Sequence, residues 1–331
     1  MDIRMTRYIA GQPDGMPVRM DPDGFAALAP AREESAVPVW IDFEGVMDPA
    51  VAERLTDAWN LHALAVHMAS DPAAGSVRLQ EHASHLSLGL TAVPEGGADP
   101  DGQRRIGVVM GRDYLLTFHA GREPVVESMA ERLATGIPSK AGAAYLLYEL
   151  LDMLLEGYFE STESISEAID SLDARLTDRN DAKSLARMQE EILTIKKRLL
   201  ALHRALIPLR DSLQSMRQTD GGLIRDSDRA YLRHASDQVL SILDTVSGDR
   251  DVLAGASEIL MSAGTKRMNE VMTFLTVFTT FFIPINFIAS VYGMNLLMPE
   301  FGYRWSYPIV LGVMAVIVAG MFLWFRRRGW L

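Results

Sequence analysis

The chain has 331 residues and a formal net charge of -11, from 43 acidic and 32 basic residues. That balance lacks the basic footprint that phosphate binding needs, so no nucleic-acid partner is expected. Cysteine is absent, which excludes disulfides and thiolate metal sites.

Residues 1–35 are rich in Pro, Gly, Asp and Ala and read as an irregular lead-in with room for one strand. The opening MDIRMTRYIAGQPDG has no apolar core, so a cleaved signal peptide is not expected. Val37 to Phe43 alternates well enough for a strand. Asp48 then caps a helix reaching about Trp59, with Pro49 at its first position. Ser84 to Thr91, Ile106 to Met110 and Tyr114 to Phe118 read as further strands, Gly111 to Asp113 as a turn and Pro94 to Gln103 as a hairpin loop. Helix resumes at Val125. This half is expected to be an α/β domain, a small sheet with covering helices, over residues 1–138.

From Ser139 strand signals vanish. Ser139 is placed to cap a helix to about Thr177, and a second helix is expected from Ala182 to about Arg217. Gly221-Gly222 breaks the chain, and from Leu223 no proline occurs before Pro284. A single helix through Tyr292 would be a rod of about 105 Å, weakened locally by Gly248, Gly255 and Gly264. Residues 139–268 are therefore read as a helical region ending in a long stalk.

Phe274 to Tyr292 and Tyr307 to Phe325 contain no charged residue, and each is long enough as a helix to cross a bilayer. The first membrane helix is taken as 269–292, the connecting loop as 293–306, the second helix as 307–325 and a basic tail as 326–331. Lys266 and Arg267 precede the first span and Arg326 to Arg328 follow the second, while the loop carries only Arg304. By the positive-inside rule both termini face the cytoplasm of a multi-pass inner-membrane protein.

The first span is two-faced. Asn269, Met272, Thr276, Thr279, Ile283, Asn286 and Ser290 fall within about a 100° arc, and five of the seven are polar. Phe274, Phe278, Phe281, Ile285, Ile288 and Tyr292 occupy the other side. Hydroxyls and amides facing hydrocarbon are costly, so the stripe either packs helices together or surrounds water. Neutral oxygens suit a cation that keeps its hydration shell, as Mg²⁺ tends to do. Ile283 and Met272 are placed to form apolar constrictions. Two helices cannot enclose a channel, so a pore requires a closed ring of subunits.

The span ends in Tyr292-Gly293-Met294-Asn295, followed by Met298-Pro299-Glu300. With Met268 to Met272, Pro284 and the basic, tryptophan-containing C-terminus, these residues resemble the CorA family of divalent-cation transporters, within the two-span GxN superfamily. Weaker similarity runs through Trp40-Ile41-Asp42, Glu44-Gly45, Leu61-His62, Ile207 to Arg210, Asp244 to Val246 and Arg250-Asp251. The resemblance implies a funnel-shaped homopentamer: a cytoplasmic α/β domain, a stalk, a first span lining the pore and a second facing lipid. It implies a selectivity site at Gly293, Met294 and Asn295, and pore positions at Asn269, Met272, Leu275, Ile283, Asn286 and Ser290. All but Leu275 belong to the stripe found from the residues. Glu300 in the outer turn is placed to collect cations.

There are departures. The family often has Thr, Gly and Met where Asn286, Ser290 and Ile283 stand here. At its cytoplasmic Mg²⁺ sensor, Glu258 matches an Asp, but His234 replaces one, with Asp237 a turn further on. The helix-loop pattern after Leu64 has become AVHMASDPAAGSVRL. A regulatory site on Glu258, His234 and Asp237 is thus an expectation from the resemblance alone. His82 and His85, beside Glu81, have zinc or cobalt spacing only on a helix, and this segment reads as loop running into strand. His62 is expected in a helix–strand turn.

No phosphate loop, nucleophile elbow or metalloprotease helix occurs, so no enzyme and no cofactor is expected. The leading expectation is channel-like entry of Mg²⁺, with Co²⁺ and Ni²⁺ as further ions. The alternatives are a zinc transporter of the same superfamily, coupled to protons, and a membrane-tethered sensor that binds without conducting.

Overall fold

The computed structural model describes residues 4–9, 18–20, 38–70, 79–93, 104–134, 142–178, 182–219, 222–294 and 302–330. Seven strands form one mixed sheet: β1 (Arg4–Ile9), β2 (Val18–Met20), β3 (Val39–Glu44), β4 (Gln80–Glu81), β5 (His85–Ala92), β6 (Arg104–Gly111) and β7 (Tyr114–His119). Their order is β2-β1-β3-β7-β6-β5-β4. β3 and β7 pair in parallel at the centre, Phe43 opposite Phe118, and the other pairs are antiparallel. The lead-in thus holds two strands where one was expected.

Both faces of the sheet are covered, so β7 is buried at every position. On one face α1 (Pro49–Trp59) and α2 (Ala63–Ser70) close a core of Ile41, Phe43, Leu55, Trp59, Leu116 and Phe118. α1 starts as the sequence dictates: Asp48 accepts the Ala50 N–H at 2.8 Å, and Pro49 follows it. It stops at Asn60, which is left-handed (φ 49°) and donates to the Thr56 carbonyl. α2 was not foreseen in AVHMASDPAAGSVRL. Its residues are mostly small and apolar, so they give little amphipathic signal. It is seated by contact with β6, where a Cβ on Gly107 would lie 1.9 Å from the Ala69 carbonyl oxygen.

The opposite face takes α3 (Pro124–Ala134) and α4 (Ala143–Asp178). The Ser139 cap and the Pro94–Gln103 loop lie outside the described residues. Beneath this face is a buried polar network. Trp40 Nε1 donates to Thr117 Oγ1 at 3.0 Å, the Thr117 hydroxyl donates to Asp42, and His119 Nε2 lies 3.1 Å from both Asp42 oxygens. Burial works against charge on His119, but the hydrogen bond and charge of Asp42, the Gly121 carbonyl and Glu123 together raise its pKa.

α5 (Ala182–Gln218) and α6 (Arg229–Tyr292) follow, then α7 (Ser306–Arg327). α6 is one helix of 64 residues, about 96 Å by helical rise. It starts at Arg229 rather than Leu223, because Gly222 is left-handed (φ 73°) and the Asp228 carbonyl takes the Tyr231 and Leu232 N–H groups. Arg225 ties this start to Asp113 in the β6–β7 turn at 3.0 Å. The chain divides into two compact units, Met1–Asp178 with Arg187–Ala256 and Arg179–Ala186 with Ser257–Leu331.

Candidate ion path on the membrane-spanning helix

α6 and α7 each contain a window long and apolar enough to cross a membrane. Their large side chains stand open: Phe274 is 72% exposed, Phe287 70% and Val316 73%. A continuous apolar surface of this extent marks a membrane or partner face. Within the second unit, Val277 is buried and the Phe281 ring lies 5.6 Å from Phe325. The α7-facing side of α6 thus includes part of its expected aromatic face, while Phe274 and Phe278 remain exposed.

The predicted stripe lies on another side. Asn269, Met272, Leu275, Thr276, Thr279, Ile283, Asn286 and Ser290 are all exposed in the single chain. The structure adds a detail that periodicity does not contain. The Thr276 hydroxyl donates to the Met272 carbonyl and that of Thr279 to the Leu275 carbonyl, both at 2.7 Å. Each hydroxyl proton is therefore used within the helix, and the oxygen presents only lone pairs outward. A hydrated cation turns its water hydrogens outward, so a wall of acceptors matches its shell. Thr280 donates in the same way to the Thr276 carbonyl; it lies about 20° beyond the edge of the arc and so falls outside the stripe.

α6 ends where the Tyr-Gly-Met-Asn motif begins. Gly293 N–H donates to the Ala289 carbonyl at 3.0 Å and Met294 N–H to the Val291 carbonyl at 3.3 Å. A Cβ on Gly293 would stand 3.1 Å from the Ala289 oxygen, so a side chain would crowd this turn. Met294 is exposed. Asn295 and Glu300 lie outside the described residues.

The residues expected to form a regulatory site do not come together within one chain. His234 and Asp237 are exposed one turn apart on α6, and the His234 ring lies 6.3 Å from that of Tyr148. Glu258 lies twenty-one positions beyond Asp237 in the sequence and belongs to the other compact unit. Among the described residues no three His, Asp or Glu side chains are gathered to hold a metal. His82 and His85 are brought together, but in a stack: His62, His82 and His85 lie in a column with ring centroids 4.7 Å apart. In-plane lone pairs of near-parallel rings do not converge on one ion, so this column is not a ligand set. His62 sits before α2, its Nδ1 accepting the Leu64 N–H, rather than in a helix–strand turn.

A sheet domain followed by a long helix that carries the first of two apolar spans defines a membrane protein of the two-span type. The family model for the CorA-like Mg²⁺ transporter protein matches residues 35–327, and the chain belongs to that family, one of transporters and not of enzymes. It is 30% identical over 302 residues to the cobalt/magnesium transport protein CorA of Thermotoga maritima, covering 90% of this chain and 85% of that one. It is 28% identical over 298 residues to the putative metal ion transporter YfjQ of Bacillus subtilis, covering 88% and 89%. The complete structure of the CorA magnesium transporter from Methanocaldococcus jannaschii superposes with a TM-score of 0.78 at 21% identity, covering both chains fully. The chain is a divalent metal transporter with the full-length CorA fold.

Proposed function

We propose that five copies form a closed ring in the inner membrane, both termini cytoplasmic, and pass Mg²⁺ and Co²⁺ inward down the electrochemical gradient. The exposed stripe of acceptor oxygens on α6 carries this reading. No fixed charge lies on it, so a divalent ion is guided by hydrogen bonds to its waters and is not held too long to leave. Gly293, Met294 and Asn295 form the outer mouth, and Glu300 raises the local cation concentration there. The membrane potential contributes about 4.6 kcal/mol per 100 mV for a charge of two. The names of the relatives in Thermotoga maritima and Methanocaldococcus jannaschii support the choice of ions.

Control by bound Mg²⁺ then takes ligands from neighbouring subunits, because among the described residues of one chain no three His, Asp or Glu side chains are gathered to hold an ion. Purified protein in vesicles loaded with a Mg²⁺ dye tests the whole reading. Mg²⁺ entry is expected, and Asn295→Ala should abolish it while the pentamer persists. Zn²⁺ entry driven by a pH gradient, without Mg²⁺ entry, would overturn it.

A further inference from the structure

In the unit that carries both spans, a groove of about 830 Å³ runs along α6 and is lined also by Gly329 and Trp330, just past α7. That volume falls within the roughly 300–1,000 Å³ of ligand sites. Its wall changes character along the helix. Lys266 and Glu270 line the end before the apolar span, and Phe274, Val277, Phe278 and Phe281 line the end inside it. A wet end and a hydrocarbon end on one axis match an amphiphile. They match neither a bare ion nor a soluble metabolite.

Position around the helix sets most of the groove apart from the ion path, Asn269 being the one residue of the stripe that also lines the groove. At 100° per residue, its centre near Thr273 and Val277 lies roughly 120° from the centre of the acceptor stripe. A ring that turns the stripe inward leaves this side of α6 directed away from the axis. Charge selects among amphiphiles. Lys266 lies in the groove wall beside Arg267, and Arg326, Arg327 and Arg328 end α7 immediately before Gly329. Arg328 stands over the Trp324 ring at 5.4 Å. Basic clusters at the foot of a span attract anionic headgroups, and tryptophans favour the same interfacial depth. Glu270 is the one carboxylate in the groove wall.

We propose that this groove holds an anionic glycerophospholipid of the adjoining leaflet, with its phosphate at Lys266 and an acyl chain along Phe274, Phe278 and Phe281. The assignment rests on the membrane insertion of the two spans and not on the identity of the transported ion. Full-length pentamer taken from nanodiscs of equal phosphatidylglycerol and phosphatidylcholine is read by native mass spectrometry for bound lipid. Phosphatidylglycerol is retained preferentially. Lys266→Gln lowers that preference about fivefold, the share of one basic residue, and Thr273→Trp, which fills the groove, removes retention. Equal retention of the two lipids by the unaltered protein, or a preference unchanged in Lys266→Gln, overturns the assignment. Photoreactive benzoylphenylalanine at position 273 that captures a second copy instead of lipid does so too. Should Thr273→Trp fail to assemble, Lys266→Gln decides alone. Mg²⁺ entry into vesicles is measured separately, so failure of lipid retention leaves the transport reading standing.

Discussion

Two stretches of α6 use the same backbone in opposite ways. From Arg229 to Ala256 the helix buries Leu232, Ala235, Val239, Ile242, Val246, Leu253 and Ala256, a stripe at three- and four-residue spacing that packs within its own unit. From Ser257 to Tyr292 only Leu260 and Val277 are buried, and aromatic side chains stand open beside a row of hydroxyls and amides. In the first stretch most apolar groups point inward, Leu240 and Val252 excepted, and most polar groups meet water, as burial energetics favour. In the second, apolar groups and the polar stripe alike stand open in the single chain. The inversion marks where the surroundings of this one continuous helix change.

Exchanging the two patterns should break each stretch differently. Val239→Asn places an unpaired amide in the packed seam of the first stretch and is expected to cost about 3–4 kcal/mol. Urea unfolding of the full-length protein in detergent, followed by near-ultraviolet circular dichroism, measures it; a loss below about 1 kcal/mol would show that the seam is not tightly packed.

Gly107→Ala tests the packing beneath that unit. The new Cβ meets the Ala69 backbone, which has no rotamer to yield, so α2 must lift from β6. About 3 kcal/mol is expected, read in the same unfolding experiment, with α2 exchanging amide hydrogens faster.

The histidine column gives a pH dependence. His85 Nε2 accepts the His62 N–H at 3.3 Å, and its Nδ1 lies 3.1 Å from Ser84 Oγ. Burial, then the charges of His82 and His62, lower its pKa to about 4, and burial followed by His62 lowers that of His82. The unfolded chain takes up a proton near pH 6.5 and the folded His85 does not, so stability falls as pH drops from about 6.5 towards 4. For His85 alone the loss between pH 7 and pH 5 is about 2 kcal/mol. His85→Gln should flatten the acid limb of stability against pH. His119 acts in the opposite sense: its raised pKa contributes stability present below about pH 6.5 and lost as pH rises through the folded value.

The smallest change in free energy falls on the second stretch. Asn286→Leu removes an acceptor from the stripe and nothing from the packing within the chain. Pentamer and unfolding midpoint should persist while Mg²⁺ entry drops about tenfold, the equivalent of one lost hydrogen bond to a charged shell. An unfolding midpoint that moves while entry does not would make the stripe a packing surface.

Much of this was legible in residue order because it follows from local rules. Asp48-Pro49 favours a helix start, uncharged stretches of nineteen residues are long enough to cross a membrane, and 100° per residue brings Asn269, Thr276 and Asn286 to one side. The run from Tyr292 to Asn295 marks the end of the span by the same token. Other features depend on partners distant in sequence. The mostly small and apolar segment at Ala63–Ser70 becomes a helix against Gly107. His62, His82 and His85 meet as a column only because β5 runs beside the start of α2. The sides of α6 that meet α7 and line the groove depend on where Phe325 and Trp330 are brought. Periodicity can place residues on a face, but only packing decides what that face meets.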